Sequence, residues 1–138
     1  MQKLLLGTTS KRKIGEFHAL LQGIPFEIVT PAQQGLVLDV AETGGTYAEN
    51  ARIKALTYAE ASGILTLADD SGLEIDALNG EPGIRSSRYA GEGASDRDRI
   101  TMVLSKLNGV PWEKRTAHFR CVIVLARPHQ LHDSQGEV

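Results

Sequence analysis

The stretch Leu67-Ala68-Asp69-Asp70-Ser71-Gly72-Leu73-Glu74-Ile75 constrains this chain most, because it sets two adjacent carboxylates between two apolar runs. The run before them, Ile64 to Ala68, is short, apolar and preceded by the breaker Gly63, which predicts a buried strand. The aspartates then fall at the strand's carboxyl end, where open α/β sheets bind ligands. Charges at the mouth of an apolar strand are costly unless a metal ion or hydrogen-bond donors meet them. On this stretch alone two readings stay open. One is a ligand site; the other is a polar turn, since Asp, Ser and Gly all favour turns.

Upstream, Lys3 to Thr9 predicts a first strand ending at Gly7-Thr8-Thr9-Ser10. Ile14, Phe17, Leu20 and Leu21 then recur at helical spacing, with Ser10 or Thr9 as N-cap. Lys11, Arg12 and Lys13 crowd the first helical turn, where the macrodipole disfavours cations. Backbone N–H groups, hydroxyls and three cations together suit a phosphate chain; the bland alternative is a solvated helix start. The GxxxxGK[ST] pattern of a P-loop is absent. Phe26 to Val29 predicts a second strand, and 32–41 a loop.

Thr46 and Glu49 are spaced as a capping box, so a helix should run from Tyr47 to about Ser62-Gly63. Capping accounts for Glu49. Glu42 has no such account, and it precedes a Gly-Gly pair in a loop from which a carboxylate could reach a metal. Beyond the aspartates, Gly72 to Leu78 predicts another strand, pairing as a hairpin with the first. A turn-rich segment follows, in which Arg88 reads as a phosphate contact or a surface charge. A helix from the Ser95 cap to Leu107 should carry Ile100, Val103, Leu104 and Leu107 on one face, and Thr116 to Ala126 predicts a long strand holding Cys121 in the core. The polar segment Pro128 to Val138 would leave that strand with one edge bare, so the chain reads as the front part of a longer protein.

Composition narrows the function. At 138 residues one domain is the default. A net charge of -2 gives no support for nucleic-acid binding. The single cysteine allows no internal disulfide, no apolar run reaches a membrane span, and a cytoplasmic protein is expected. His18, His118, His129 and His132 show no zinc spacing. Adjacent strand residues face opposite ways, so Asp69 and Asp70 should not share one role. Cations for phosphates with carboxylates for Mg²⁺ is the equipment of phosphoryl-transfer sites.

The stretches GTTSKRKIGEF, ETGGTYAENARIKA, LADDSGLEIDALNGEPGIRSSRYAG and RTAHFRCVIVLA resemble, in order and over nearly the whole chain, the inosine triphosphate pyrophosphatase family (RdgB-like XTP/dITP diphosphatases). The resemblance implies an α/β fold with an elongated mixed β-sheet, flanking helices and two lobes around a central groove, the second lobe incomplete here. It implies one pyrophosphatase domain over residues 1–138 with its C-terminal part missing, and a homodimer. It implies Mg²⁺-dependent hydrolysis of ITP, dITP and XTP to monophosphate and pyrophosphate. Carried over by position, Thr8, Thr9, Ser10, Lys11, Arg12 and Lys13 would bind phosphates and Ser71 would touch substrate. Asp70 would be the general base and, with Glu42, a metal ligand; Glu49 would support the metal shell. Ser10 stands where the family usually has Asn, and the family's later Phe-Gly-Tyr-Asp-Pro and Ser-His-Arg segments, which shape its base pocket, do not occur in these residues. The rival is a truncated relative that binds Mg²⁺-nucleotide phosphates without selective hydrolysis.

Overall fold

The structure, a computed structural model, describes residues 1–137, and only the backbone of Gln130, His132, Asp133, Gln135 and Glu137. The imidazole of His132 therefore lies outside the described residues. In chain order the elements are β1 (Lys3–Leu6), α1 (Lys11–Leu20), β2 (Glu27–Val29), α2 (Tyr47–Ser62), β3 (Leu65–Ile75), α3 (Asp96–Lys106), β4 (Ala117–Arg127) and β5 (Gln130–Glu137), with short 3-10 turns between. The strands form one sheet in the order β2-β1-β3-β4-β5. β1 runs parallel to both neighbours, Leu5 opposite Val29 on one side and Thr66 on the other. β4 and β5 are joined by two residues, Pro128 and His129, a link only antiparallel strands can use. The sheet is therefore mixed.

By compactness the chain divides in two. The first unit is Met1–Asp70 with Val122–Ser134; the second is Ser71–Cys121 with the residues from Gln135 on. The first unit is a three-layer structure whose strands divide their side chains strictly by parity. Leu4, Leu6 and Leu67 are buried beneath Ile14, Phe17 and Leu21 of the α1 region, with Ile123 and Leu125 of β4 on the same face. On the other face Ala68, Val122, Val124 and Ala126 pack on Ala51, Ala55 and Ala59 of α2. Alanines four apart make a smooth helix stripe that can lie close to the strands. Leu5, on this second face, is sealed by Val29 and Tyr58. Each fully buried leucine of β1 contributes about 1.5–3 kcal/mol. The helix ends follow local chemistry. Ser10 caps α1 by accepting from the Lys13 amide, and Gly63 closes α2 at φ 70°, a left-handed conformation glycine adopts freely.

In the second unit, Ser95 and Asp98 form a reciprocal capping box that starts α3. The Leu73 amide donates to Ser86 Oγ at 2.9 Å, which ties the end of β3 to a 3-10 helix over Gly83–Arg88. Thr116 donates to Asp76 at 2.6 Å, and Glu74 Oε1 accepts from Arg120 Nε at 3.0 Å with His118 Nε2 at 3.1 Å.

Three expectations are corrected, and the apolar face of α3 is largely uncovered. β3 does not end at Ala68, and no hairpin forms between it and Gly72–Leu78: one strand of 11 residues runs straight through Asp69-Asp70-Ser71-Gly72, followed by a 3-10 turn at Asp76–Leu78. Turn propensity at these residues yields to pairing within the sheet. The edge of β4 is not bare, because β5 occupies it. Only half of the Thr46/Glu49 capping box forms: Thr46 accepts from the Glu49 amide, whereas the Glu49 carboxylate reaches past Thr46 to the Gly45 amide at 2.8 Å. On α3, Ile100 and Leu104 are 59% and 54% exposed; of the predicted stripe only Leu107 is buried.

Candidate phosphate and metal site

β1 ends at Leu6, whereas its neighbour β3 runs on past Leu67 through Asp69 and Asp70. Gly7 makes the exit: its amide donates to Leu67 O at 2.7 Å, and a Cβ there would come within 3.0–3.3 Å of Thr66, Ala68 and Tyr58. Asp69 and Asp70 lie just past this point. They are not at the end of their own strand, but they are at the end of the adjacent one, and this restores the geometry in which parallel sheets bind ligands.

Both carboxylates are buried, Asp69 at 4% and Asp70 at 6% exposure, and parity sends them to opposite faces. On the α1 face, Lys13 Nζ lies 3.2 Å from Asp69 Oδ1. On the α2 face, Asn50 Nδ2 donates to Asp70 Oδ2 at 3.3 Å. Lys54, one helical turn beyond Asn50, pairs with Glu42 Oε1 at 2.8 Å. Burial holds the Asp70 carboxyl above the usual aspartate range, and the negative charge of Glu42 pushes it the same way. Lys54, the Asn50 hydrogen bond and Lys13 oppose them without winning. A carboxylate so placed is a stronger base than an aspartate in water.

The loop that carries Glu42 is folded onto the start of α2. The Gly44 amide donates to Asn50 Oδ1 at 2.7 Å and the Gly45 amide to Glu49 Oε2. A Cβ on Gly44 would sit 2.6 Å from Glu49 Cβ and 2.8 Å from Asn50 Oδ1, so only glycine fits. At the start of α1, Thr8 is buried and its hydroxyl accepts from the Ser10 amide at 3.1 Å; Thr9, Lys11 and Arg12 are exposed. The family profile described as Ham1 matches residues 4–138.

The chain belongs to the Ham1 family.

Curated relatives of this Ham1 chain include a dITP/XTP pyrophosphatase of Desulforamulus reducens, 46% identical over 135 residues, 97% of this chain and 67% of that protein. Another, of Vibrio vulnificus, is 47% identical over 127 residues, 92% of this chain and 63% of that protein. The chain thus spans about two thirds of the length of the curated relatives it matches. Among solved structures, a HAM1 protein from Coxiella burnetii superposes with a TM-score of 0.86 at 38% identity, over 99% of this chain and 71% of that one. The Ham1 protein of Staphylococcus aureus gives 0.84 at 37%, over 99% and 70%. The resemblance drawn from the sequence and the α/β mixed-sheet class both hold.

Of the residues singled out in the sequence, Lys13, Glu42 and Asp70 come together on the first unit of this Ham1 chain, each charge acting on the Asp70 carboxyl. The Glu49 carboxylate accepts from the Gly45 amide. Ser71 is the half-buried residue after Asp70 in β3, the first of the second unit. Arg88 is exposed at the end of its 3-10 helix. Sequence reasoning missed Asn50 and Lys54. The signal was present: they stand four apart within the buried Ala51–Ala55–Ala59 side of α2, and polar side chains on such a face need partners.

No group of three or more His, Cys, Asp or Glu side chains able to hold a metal gathers among the described residues. Glu42 and Asp70 alone still suit Mg²⁺, which commonly takes one or two carboxylates and completes its shell with waters and substrate phosphates. After burial, the Glu42 charge is the second cause holding the Asp70 carboxyl up, and a divalent cation between them would offset that repulsion.

No helix among the described residues is long and apolar enough to cross a membrane.

Proposed function

We propose that this chain hydrolyses non-standard purine nucleoside triphosphates (ITP, dITP and XTP) to the monophosphate and pyrophosphate, with Mg²⁺. The observation that carries the reading is the buried Asp70 carboxylate, set among Glu42, Lys54 and Lys13 at the end of β1. Its curated relatives are named dITP/XTP pyrophosphatases, which agrees. Mg²⁺ held by Glu42 and Asp70 would neutralise phosphate charge. The residues of the chain do the rest. Lys13 and the start of α1 receive phosphate oxygens, Lys54 adds a second cation on the opposite face, and Asp70 takes the proton from the attacking water as the anhydride between the α- and β-phosphates breaks. Phosphoryl chemistry needs mostly this positioning and charge balance. The homodimer implied by the resemblance belongs to the same reading.

The test is product analysis. The chain is incubated with dITP and MgCl₂, and pyrophosphate, orthophosphate and nucleotides are quantified. Pyrophosphate and dIMP should rise in equal amounts, and omission of Mg²⁺ should abolish both. Release of orthophosphate with dIDP, or tight Mg²⁺-dependent dITP binding without pyrophosphate, would overturn it.

A further inference from the structure

We propose that Asn50 is a positioning residue for the hydrolytic site, a two-ended side chain that fixes the Asp70 carboxylate and the Glu42 loop relative to each other. The proposal rests on the pyrophosphatase reading for its functional meaning, but the link itself does not.

Asn50 is fully buried, at 0% exposure, in the first turn of α2. A buried primary amide must satisfy both ends, and here each end meets one part of the site. Oδ1 accepts from the Gly44 amide at 2.7 Å, and Nδ2 donates to Asp70 Oδ2 at 3.3 Å. The amide has only one workable orientation. The Gly44 N–H is solely a donor and an ionised carboxylate solely an acceptor, so flipping the amide would set donor on donor and acceptor on acceptor. Asn50 therefore binds the ionised form of Asp70 and, by holding Oδ2, fixes the rotation of its carboxylate. At its other end it pins the glycine two residues after Glu42, where no side chain could fit.

Two neighbours show what Asn50 adds. Glu49 also holds the loop, but from an exposed position and with no bond to Asp70. Lys54 reaches Glu42, and it acts on Asp70 through charge alone. Among the described residues, Asn50 is the side chain hydrogen-bonded to both the loop and the base.

A swap separates positioning from plain structure. Asn50→Asp keeps an acceptor for Gly44 but loses the donor to Asp70 and sets two carboxylates together. The Asn50→Asp, Asp70→Asn double variant restores an amide–carboxylate pair with its ends exchanged. Each is measured for urea midpoint without nucleotide, and for kcat and KM with Mg²⁺-dITP. We expect Asn50→Asp to lower the midpoint and to lower kcat about 10²-fold, as a misplaced reacting group does, with KM changed less than about twofold. The double variant should regain the midpoint and not the turnover, because its carboxylate now stands on α2. A double variant no more stable than Asn50→Asp would overturn the Asn50–Asp70 link. Wild-type kcat in Asn50→Asp, or an effect confined to KM, would overturn the positioning role. Should Asn50→Asp fail to fold, Asn50→Ser is scored the same way on kcat against KM. If the unmodified chain releases no pyrophosphate from dITP, the pyrophosphatase reading fails and the positioning role with it, while the midpoints still decide the link.

Discussion

Asp69 and Asp70 are neighbours on one strand, buried almost equally, and their surroundings differ in kind. On the α1 face a lysine ammonium meets the carboxylate directly, 3.2 Å away. On the α2 face a neutral amide donates to the carboxylate, Lys54 is engaged with Glu42, and Glu42 itself repels. One arrangement compensates a buried charge; the other leaves it partly uncompensated. Burial first, and the Glu42 charge second, hold the Asp70 carboxyl above the usual aspartate range, and a carboxylate so perturbed is a candidate functional group. A single pair of adjacent aspartates thus meets an ammonium on one face and a neutral amide on the other, with strand parity doing the sorting.

The largest effect should come from Asp70→Asn. The amide cannot take water's proton, and loss of a positioned base costs about 10²- to 10⁴-fold. Pyrophosphate release from Mg²⁺-dITP by a variant with native circular dichroism measures it; turnover within a few-fold of the parent would erase the functional half of the contrast. Asp69→Asn should act instead on stability. It leaves the Lys13 ammonium beside a neutral amide in a site only 19% exposed, and orphaning a buried polar partner costs about 1–3 kcal/mol. Urea unfolding reads this. If Asp69→Asn is as stable as the parent, the ion pair is not compensating anything.

A smaller effect is expected from Lys13→Ala. It should weaken the binding of Mg²⁺-ITP about tenfold, about 1.4 kcal/mol, and leave inosine binding nearly unchanged, because an ammonium complements phosphate charge. Calorimetry with both ligands decides, and equal losses would remove Lys13 from the phosphate role. The smallest effect is the pH dependence of stability. With its folded pKa raised, Asp70 binds a proton more tightly in the native chain than in the unfolded one. Stability should therefore fall as pH rises from the ordinary aspartate value through the raised one, and stay level above it. Asp70→Asn should remove this segment of the profile and make the chain slightly more stable at neutral pH. Carbon NMR titration of the Asp70 carboxyl in the metal-free Glu42→Gln variant sharpens the point: its midpoint should move down, since a repelling charge is gone.

Local chemistry made much of this legible beforehand. Ser10, Thr46 and Ser95 cap helices as their sequence context predicts, and Gly63 ends one. Of the charged residues singled out beforehand, Lys13 and Glu42 lie where their charges act on Asp70, whereas Lys11 and Arg12 are exposed. What escaped was non-local. Asp-Asp-Ser-Gly has turn composition, and nothing within those residues reveals that a paired strand carries them through. Pro128 to Val138 looks too polar for a strand, yet an edge needs little apolar character once β4 offers its hydrogen bonds. Asn50 was overlooked because capping explained its neighbour Glu49, and the bond that matters spans 20 residues of sequence. The exposed Ile100 and Leu104 show the limit of periodicity: it defines a helix face without saying what covers it.

The uninterrupted run of β3 has an evolutionary consequence. Because neighbouring positions point oppositely, deleting or inserting one residue between Leu67 and Asp69 would exchange the faces of the two carboxylates, handing the base to the lysine and the counter-ion to the amide. Substitutions at the residues flanking the two aspartates would weaken the site by degrees, whereas a length change by one would invert it. Descendants of such a gene should therefore drift in the identity of those flanking residues far more readily than in their number.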